Sequence, residues 1–281
     1  MIDELKHIWK TCFKDEEEYI DFYFSNRYKA EQTFVHYKSG KAVAMLTLLP
    51  VSVITSNKIF SAHYIYAVAT LPEFQNQGIS SALAAKADEY MRAVGDDLAV
   101  VVPATESLFD FYAGQGFSTA FFRRVVSFEM NQIFSTDFVE GIPLNDIDKL
   151  YTLREKYFNN ENFFVQWDKD ALCYVVAECR LSGGEVFYFS KNNQEGYIIV
   201  EPINDKIVVK EIAIPIDLAS EVLAFLKRKY FLHKQIQCRL AMDNPLWNDN
   251  GTIAPVAMLK WFNHSSGTID ISKAYISLLK D

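Results

Sequence analysis

Residues 66–83 read Tyr66-Ala67-Val68-Ala69-Thr70-Leu71-Pro72-Glu73-Phe74-Gln75-Asn76-Gln77-Gly78-Ile79-Ser80-Ser81-Ala82-Leu83. An apolar run from His63 to Ala69 has the character of a strand and ends at Thr70. Pro72 stops any ladder, because it has no N–H to donate. The polar turn Gln75-Asn76-Gln77-Gly78 opens directly into a helical pattern, with Ile79, Leu83, Ala87 and Tyr90/Met91 on one face. A strand, a glycine-containing turn and a helix start make a site for an anion. The first turn of a helix has unpaired N–H groups and a partial positive charge. Gly78 removes the Cβ that would block close approach, and Ser80 adds a small hydroxyl. Neither familiar phosphate loop is present: there is no G-x-x-x-x-G-K-[ST] and no G-x-G-x-x-G.

Downstream, Leu98-Ala99-Val100-Val101-Val102 is a continuous apolar run, as expected of a strand buried on both faces. It is followed by a segment closing in Phe111-Tyr112-Ala113-Gly114-Gln115-Gly116-Phe117. The turn Gln75–Ser80, with Val68 four residues before Pro72, resembles motif A of the GNAT superfamily of acyl-CoA-dependent N-acetyltransferases, Q/R-x-x-G-x-G/A after a strand ending in V-x-x-x-P. The second segment resembles that family's F/L-Y-x-x-x-G-F signature, and the two lie at the expected separation.

The bounds of the chain agree with such a protein. At 281 residues it is comfortable for two domains. Half of it is hydrophobic and 15% is aromatic, ample for packed cores. A net charge of −8 without a basic stripe argues against a nucleic-acid partner and favours cationic ones. Cys12, Cys173, Cys179 and Cys238 show no C-x-x-C spacing, and the five histidines show no H-E-x-x-H. Reduced thiols, no metal and a cytoplasmic setting are expected. Met1-Ile2-Asp3-Glu4-Leu5 is acidic and does not read as a signal peptide. The longest greasy region, Ala42 to Ile54, is cut by Pro50 and is too short to span a bilayer, so no membrane is expected.

Helical spacing of Leu5, Ile8, Trp9, Cys12 and Phe13 predicts an amphipathic helix over 3–13, and Tyr19, Ile20, Tyr23 and Phe24 a second. Strands are expected over 32–38 and 42–55, joined at Lys38-Ser39-Gly40-Lys41, then over 59–69. Gly95 ends the helix after the motif turn, and a crossover leads to a parallel strand at 98–102. A strand over 121–130 is expected to close this sheet. The second half repeats the order: helices over 144–158 and 169–180, strands over 185–190, 196–201 and 207–214, a helix over 218–229 and a strand over 235–242. Only Pro215-Ile216-Asp217 links strand to helix there, with no glycine. The expected fold is α+β: two tandem GNAT-like domains, each a mixed, mostly antiparallel twisted sheet flanked by helices. Their bounds are 1–134, with motif A, and 135–281, a degenerate copy without the pyrophosphate turn.

The resemblance implies acetyl-CoA as co-substrate and an amine acceptor. It implies that Gln75, Asn76, Gln77, Gly78, Ile79 and Ser80 bind the pyrophosphate. It implies that Val68, Ala69 and Thr70 line the acyl end, with a backbone N–H of Val68 or Ala69 polarising the thioester carbonyl. It also implies that Tyr112 is the acid that protonates the leaving thiolate. The family's usual Arg is absent from the turn. The first two helices of the fold wall the acceptor site, so Tyr19, Tyr23 and Phe24 are candidates beside a core-packing role. His63, Glu31, Glu73 and the carboxylate of Asp281 are all possible bases, and no spacing picks one. An active first copy with a degenerate second is similar to the enhanced-intracellular-survival acetyltransferases, which carry a further sterol-carrier-like domain that this chain is too short to include. The aminoacyl-tRNA-dependent peptidoglycan ligases also use tandem GNAT folds but need a basic surface. The expected function is transfer of an acetyl group to a primary amine of a small molecule or peptide. The alternative is a non-catalytic acyl-CoA-binding or interaction protein. The oligomeric state stays open.

Overall fold

A computed structural model of the chain describes residues 1–134, 139–158, 163–247, 251–262 and 269–278. In chain order the elements are α1 (Ile2–Phe13), α2 (Glu17–Asn26), β1 (Thr33–Lys38), β2 (Lys41–Ile54), β3 (Ile59–Thr70), α3 (Ile79–Val94), β4 (Leu98–Val101), α4 (Glu106–Ala113) and β5 (Ser118–Glu129). They continue with β6 (Ile142–Pro143), α5 (Ile147–Phe158), β7 (Phe164–Gln166), α6 (Lys169–Leu181), β8 (Glu185–Lys191), β9 (Gln194–Ile203), β10 (Lys206–Ala213), α7 (Ala219–Lys229), β11 (Gln235–Leu240) and β12 (Thr252–Trp261). The chain divides into two compact units. The first comprises Met1–Val53, Ile59–Thr119 and Ala257–Ile269; the second comprises Ile54–Lys58, Ala120–Val256 and Asp270–Asp281.

In the first unit the strands run in the order β1-β2-β3-β4-β12. Ser39 and Gly40 both take positive φ, the geometry of a two-residue hairpin, and they turn β1 into β2. Pro50 lies in β2 beyond Thr47, the last residue that β1 pairs, so its missing N–H costs no bond to β1. β3 and β4 are parallel, from Ala62↔Leu98 to Ile65↔Val101, and α3 is the crossover between them. Helix α3 ends where Gly95 takes a left-handed φ of 86°, as the sequence led one to expect. Its buried face, Ile79, Leu83, Ala87 and Met91, packs with Val43, Leu46, Ile65, Val101 and Phe117. The strand on the outer side of β4 is not the expected one. β12 pairs there antiparallel, Met258↔Val101 to Trp261↔Leu98, and carries Met258 and the following Phe262 into the same core.

The second unit has the order β5-β11-β10-β9-β8-β6. The segment expected to close the first sheet, 121–130, instead forms most of β5 and pairs antiparallel with β11, from Gln235↔Glu129 to Leu240↔Arg124. Residues 121–130 and 252–261 are both β-rich, and nothing local distinguishes which of them the edge of β4 will take. β10 and β11 are parallel with α7 between them, as β3 and β4 are with α3. The tight turns at Asn192-Asn193 and Asn204-Asp205 join β8 to β9 and β9 to β10, with positive φ at Asn192, Asn193 and Asn204. Val222, Leu226, Ile198, Val209 and Ile236 are among its fully buried core residues. A polar cluster lies within this unit. Arg154, 0% exposed, donates from Nε and Nη2 to the Glu211 carboxylate at 2.9–3.1 Å. Glu211 also accepts from Tyr197 at 2.5 Å and from Ser277.

Taken together, the strands and helices form a mixed, mostly antiparallel α+β fold, in agreement with the expected class.

Candidate active site

β3 outlasts its parallel partner. β4 stops at Val101, opposite Ile65, while β3 runs on to Thr70, so the two strands part there. Just past this point Ala67 takes φ 50°, a conformation L-residues other than Gly, Asn and Asp rarely adopt. Ile65 is buried in the α3 core, and Val68 packs against the same cluster. Side chains on one face of a strand lie two residues apart, and these lie three apart. One extra residue has therefore been inserted: β3 carries a bulge at Tyr66-Ala67, and a bulge leaves a backbone amide outside the ladder.

Beyond Thr70, Pro72–Phe74 forms one 3-10 turn, and Asn76 and Gly78 follow with φ 58° and 76°. Gly78 is the residue before α3, whose first turn has no side-chain cap and no acidic residue. At this end the Ala82 N–H donates to the Gly78 carbonyl at 3.0 Å. A Cβ on Gly78 would meet nothing within 4 Å, so the space over the turn is open. The uncapped N–H groups and this opening fit an anionic phosphate group. The side chains of the turn hold it to the strand end. Gln75 donates to the Thr70 carbonyl at 3.0 Å, Thr70 and Ser80 share a hydroxyl bond of 2.9 Å, and Gln77 donates to the Glu73 carbonyl at 3.1 Å. Ile79 points into the core, leaving its backbone alone available to a ligand.

Tyr112 sits in the last turn of α4. Its carbonyl accepts from the N–H groups of Gln115 and Phe117, and Gly116, at φ 88°, lets the chain turn back. The ring is 6% exposed, edge-on to Phe111 and Phe117, and belongs to the same cluster as Ile65 and Ile79. Burial alone pushes its phenol up to about 12, so the group is a neutral O–H at physiological pH.

On the α1–α2 side the rings gather on Tyr66, the residue before the bulge. Trp9 lies 4.4 Å from Tyr23, 6.3 Å from Tyr19 and 6.0 Å from Tyr66, and the Tyr19 and Tyr66 hydroxyls are 3.4 Å apart. Tyr23 and Phe24 are buried packing rings, at 1% and 9% exposure, while Tyr19 and Tyr66 keep a partly open surface. The proposed bases scatter. His63 is paired with Asp96 at 2.5 Å, at the start of the β3–β4 pairing. Glu31 and Glu73 are exposed in 3-10 turns. Asp281 lies outside the described residues. Among the described residues no group of three or more His, Cys, Asp or Glu could hold a metal, and the four cysteines are free. No described helix is long and apolar enough to cross a membrane. Two participants escaped the sequence reading: the bulge, because an apolar run hides its own parity, and Tyr66, because nothing nearby in sequence announces the helices that pack on it.

Parted parallel strands, a positive φ at Ala67 and an uncapped helix start thus lie together at one end of the first unit's sheet. Residues 1–120 of the chain match the acetyltransferase (GNAT) domain family. The fold of the chain is that of solved GCN5-related N-acetyltransferases. The one from Anabaena variabilis ATCC 29413 superposes with a TM-score of 0.77 at 16% identity, over 93% of this chain and 70% of that one. The one from Kribbella flavida gives 0.72 at 14% identity, over 92% and 68%. Eis1 from Mycobacterium abscessus gives 0.67 at 10% identity, over 92% and 70%. No curated protein matches the chain in sequence.

Proposed function

We propose that the chain is an N-acetyltransferase that moves an acetyl group from acetyl-CoA to a primary amine of a small molecule or peptide. The observation that carries this reading is the positive φ at Ala67, where β3 runs on past β4, beside the uncapped start of α3 at the same end of the sheet. Acetyl-CoA, when bound, supplies the thioester. The N–H groups of Gly78, Ile79 and Ser80 hold its pyrophosphate, and the turn residues Gln75, Asn76 and Gln77 shape that cradle. The N–H of Val68 or Ala69 donates to the acyl oxygen, where negative charge develops as the amine attacks. Tyr112 donates its proton to the departing sulfur; a phenol raised to about 12 still holds that proton at neutral pH. Thr70 fixes the turn to the strand end through Ser80 and Gln75. No described side chain is assigned as the base that neutralises the amine.

Tyr19 and Tyr66 would face the acceptor. Aromatic rings in a protein of net charge −8 suit a cationic amine. The second half of the chain is proposed to be a degenerate copy that binds no coenzyme, within domains bounded near 134. Its crossover helix α7 follows Pro215-Ile216-Asp217 without a glycine, and Asp217 and the buried Glu221 already place carboxylates at its start, where a phosphate would sit. The expected setting is cytoplasmic. Free-thiol release from acetyl-CoA across a panel of amines, polyamines and aminoglycosides tests the activity. Calorimetry should find one acetyl-CoA site per chain, lost in Gly78→Glu; two equivalent sites, or unchanged affinity in that variant, would contradict the reading.

A second reading, a non-catalytic acyl-CoA-binding protein, draws on the depth at which Tyr112 is packed. Coenzyme binding with no thiol release on any amine would favour it.

A further inference from the structure

The turn Gln75–Gly78 contains no cation of its own, yet the fold brings one to it. Lys38 ends β1, and its Nζ donates to the Gln77 side-chain oxygen at 2.8 Å. It also lies over the Phe74 ring, 5.2 Å from the centroid. Gln77 is oriented for this: its amide nitrogen is used on the Glu73 carbonyl, which leaves the oxygen for Lys38. β1 and β3 both lie antiparallel to β2, so their C-terminal ends fall at the same edge, and the Leu71 N–H bonds the Val43 carbonyl there.

This placement is electrostatically unfavourable without a ligand. Lys38 stands directly opposite Lys41 in the hairpin register, and like charges directly opposite destabilise a pair of strands. It also lies beside the positive end of α3, whose first turn carries no acidic residue. Among the described residues no carboxylate pairs with it. Burial raises the Cys12 thiol, and Glu73, the acid of the turn, adds to that rise. An ammonium has three donors, and Gln77 accepts one. An anion between Lys38 and the first N–H groups of α3 would relieve both repulsions.

We infer that Lys38, tethered by Gln77, is a phosphate-binding residue that contacts the pyrophosphate of the donor and takes the part of a cation missing from the turn. The inference rests on the acetyl-CoA reading above. It makes donor selection depend on the β1–β2 hairpin, and it requires a donor that carries the diphosphate.

The test compares Lys38→Gln with Lys41→Gln, which changes net charge equally, on three donors: acetyl-CoA, 3′-dephospho-acetyl-CoA and S-acetyl-pantetheine. Coenzyme A affinity is measured alongside by calorimetry. Lys38 is exposed, so neither variant should disturb folding. For Lys38→Gln, KM should rise about tenfold for both donors that keep the diphosphate, with kcat within about twofold, as for loss of a charge-assisted bond made in ground and transition states alike. S-acetyl-pantetheine should be used as well as by the unaltered protein, and Lys41→Gln should have a clearly smaller effect on every donor. An equal loss on all three donors would overturn the inference, as would a loss confined to the 3′-phosphorylated donor or an equal effect of Lys41→Gln. If the unaltered protein binds no coenzyme A, the donor reading itself fails, and this inference with it.

Discussion

Ile65 and Val68 face the same core from positions three apart on β3, and the residue that makes room for this is Ala67 at φ 50°. The strained residue and the extra one coincide, next to where β4 ends. Ala67→Gly removes a left-handed penalty of roughly 1–2 kcal/mol and adds an unfolded-chain entropy cost of roughly 0.5–1, so it should stabilise the protein by at most about 1 kcal/mol with activity retained. Ala67→Val puts a β-branched side chain at positive φ in a buried position and should destabilise by more than that. Urea unfolding of the two variants reads the difference. Equal midpoints would mean that the bulge carries no strain.

Tyr112→Phe preserves the edge-on packing with Phe111 and Phe117 and removes only the hydroxyl. If that hydroxyl delivers the proton, turnover should fall by roughly 10²-fold while acetyl-CoA still binds. Full turnover in this variant, followed by thiol release, would return Tyr112 to the core.

Alkaline pH should unfold the protein through its buried acids. Burial raises Tyr23 and Tyr112 to about 12 from 10.0, and Cys179 to about 12 from 9.0. Below the unfolded values neither state ionises, and stability is at its full level. Above them the unfolded chain ionises first, so stability falls as pH rises toward the folded values, by about 1.4 kcal/mol per pH unit for each such group. Thermal melts should therefore be flat in this respect to pH 9 and drop steeply between 10 and 12. A Tm unchanged to pH 11.5 would refute this.

Arg154 and Glu211 are both fully buried, so removing one partner leaves the other charge uncompensated. Arg154→Met should cost about 3–5 kcal/mol, and the double variant Arg154→Met/Glu211→Leu should recover a large part of it. Denaturant midpoints of the unaltered protein, both single variants and the double variant form the cycle. A double variant no better than the single one would show that the stabilisation lies in packing.

Much of this was legible in the chain. The turn before Gly78, the start of α3 at Ile79 and its end at Gly95 follow from local chemistry: a residue without a Cβ, a helical face, a left-handed cap. The Ser39-Gly40 and Asn192-Asn193 turns are legible for the same reason. What sequence did not show depends on partners far along the chain. Lys38 reads as one more solvated lysine until Gln77 stands beside it. The apolar run around Ala67 looks like regular alternation, because Tyr66, Ala67 and Val68 are all compatible with a buried strand. The edge of β4 could as well take 121–130 as 252–261, since both are β-rich and bounded by turns.

That last pairing bears on how the protein comes to be made. Val100 and its neighbours in β4 are fully buried, yet the strand beside them starts only at Thr252. At a synthesis rate of about 5–20 residues per second, β4 waits on the order of ten seconds or more with one ladder edge unpaired. An apolar, unpaired edge is a template for the wrong strand, including the same strand of another nascent chain. Domain-by-domain folding from the N-terminus is therefore blocked for the very unit that carries the candidate site. A cell must shelter the emerging chain until β12, which ends at Trp261 of 281 residues, is out, and yield at high expression should depend on chaperone supply more than on the stability of the finished protein.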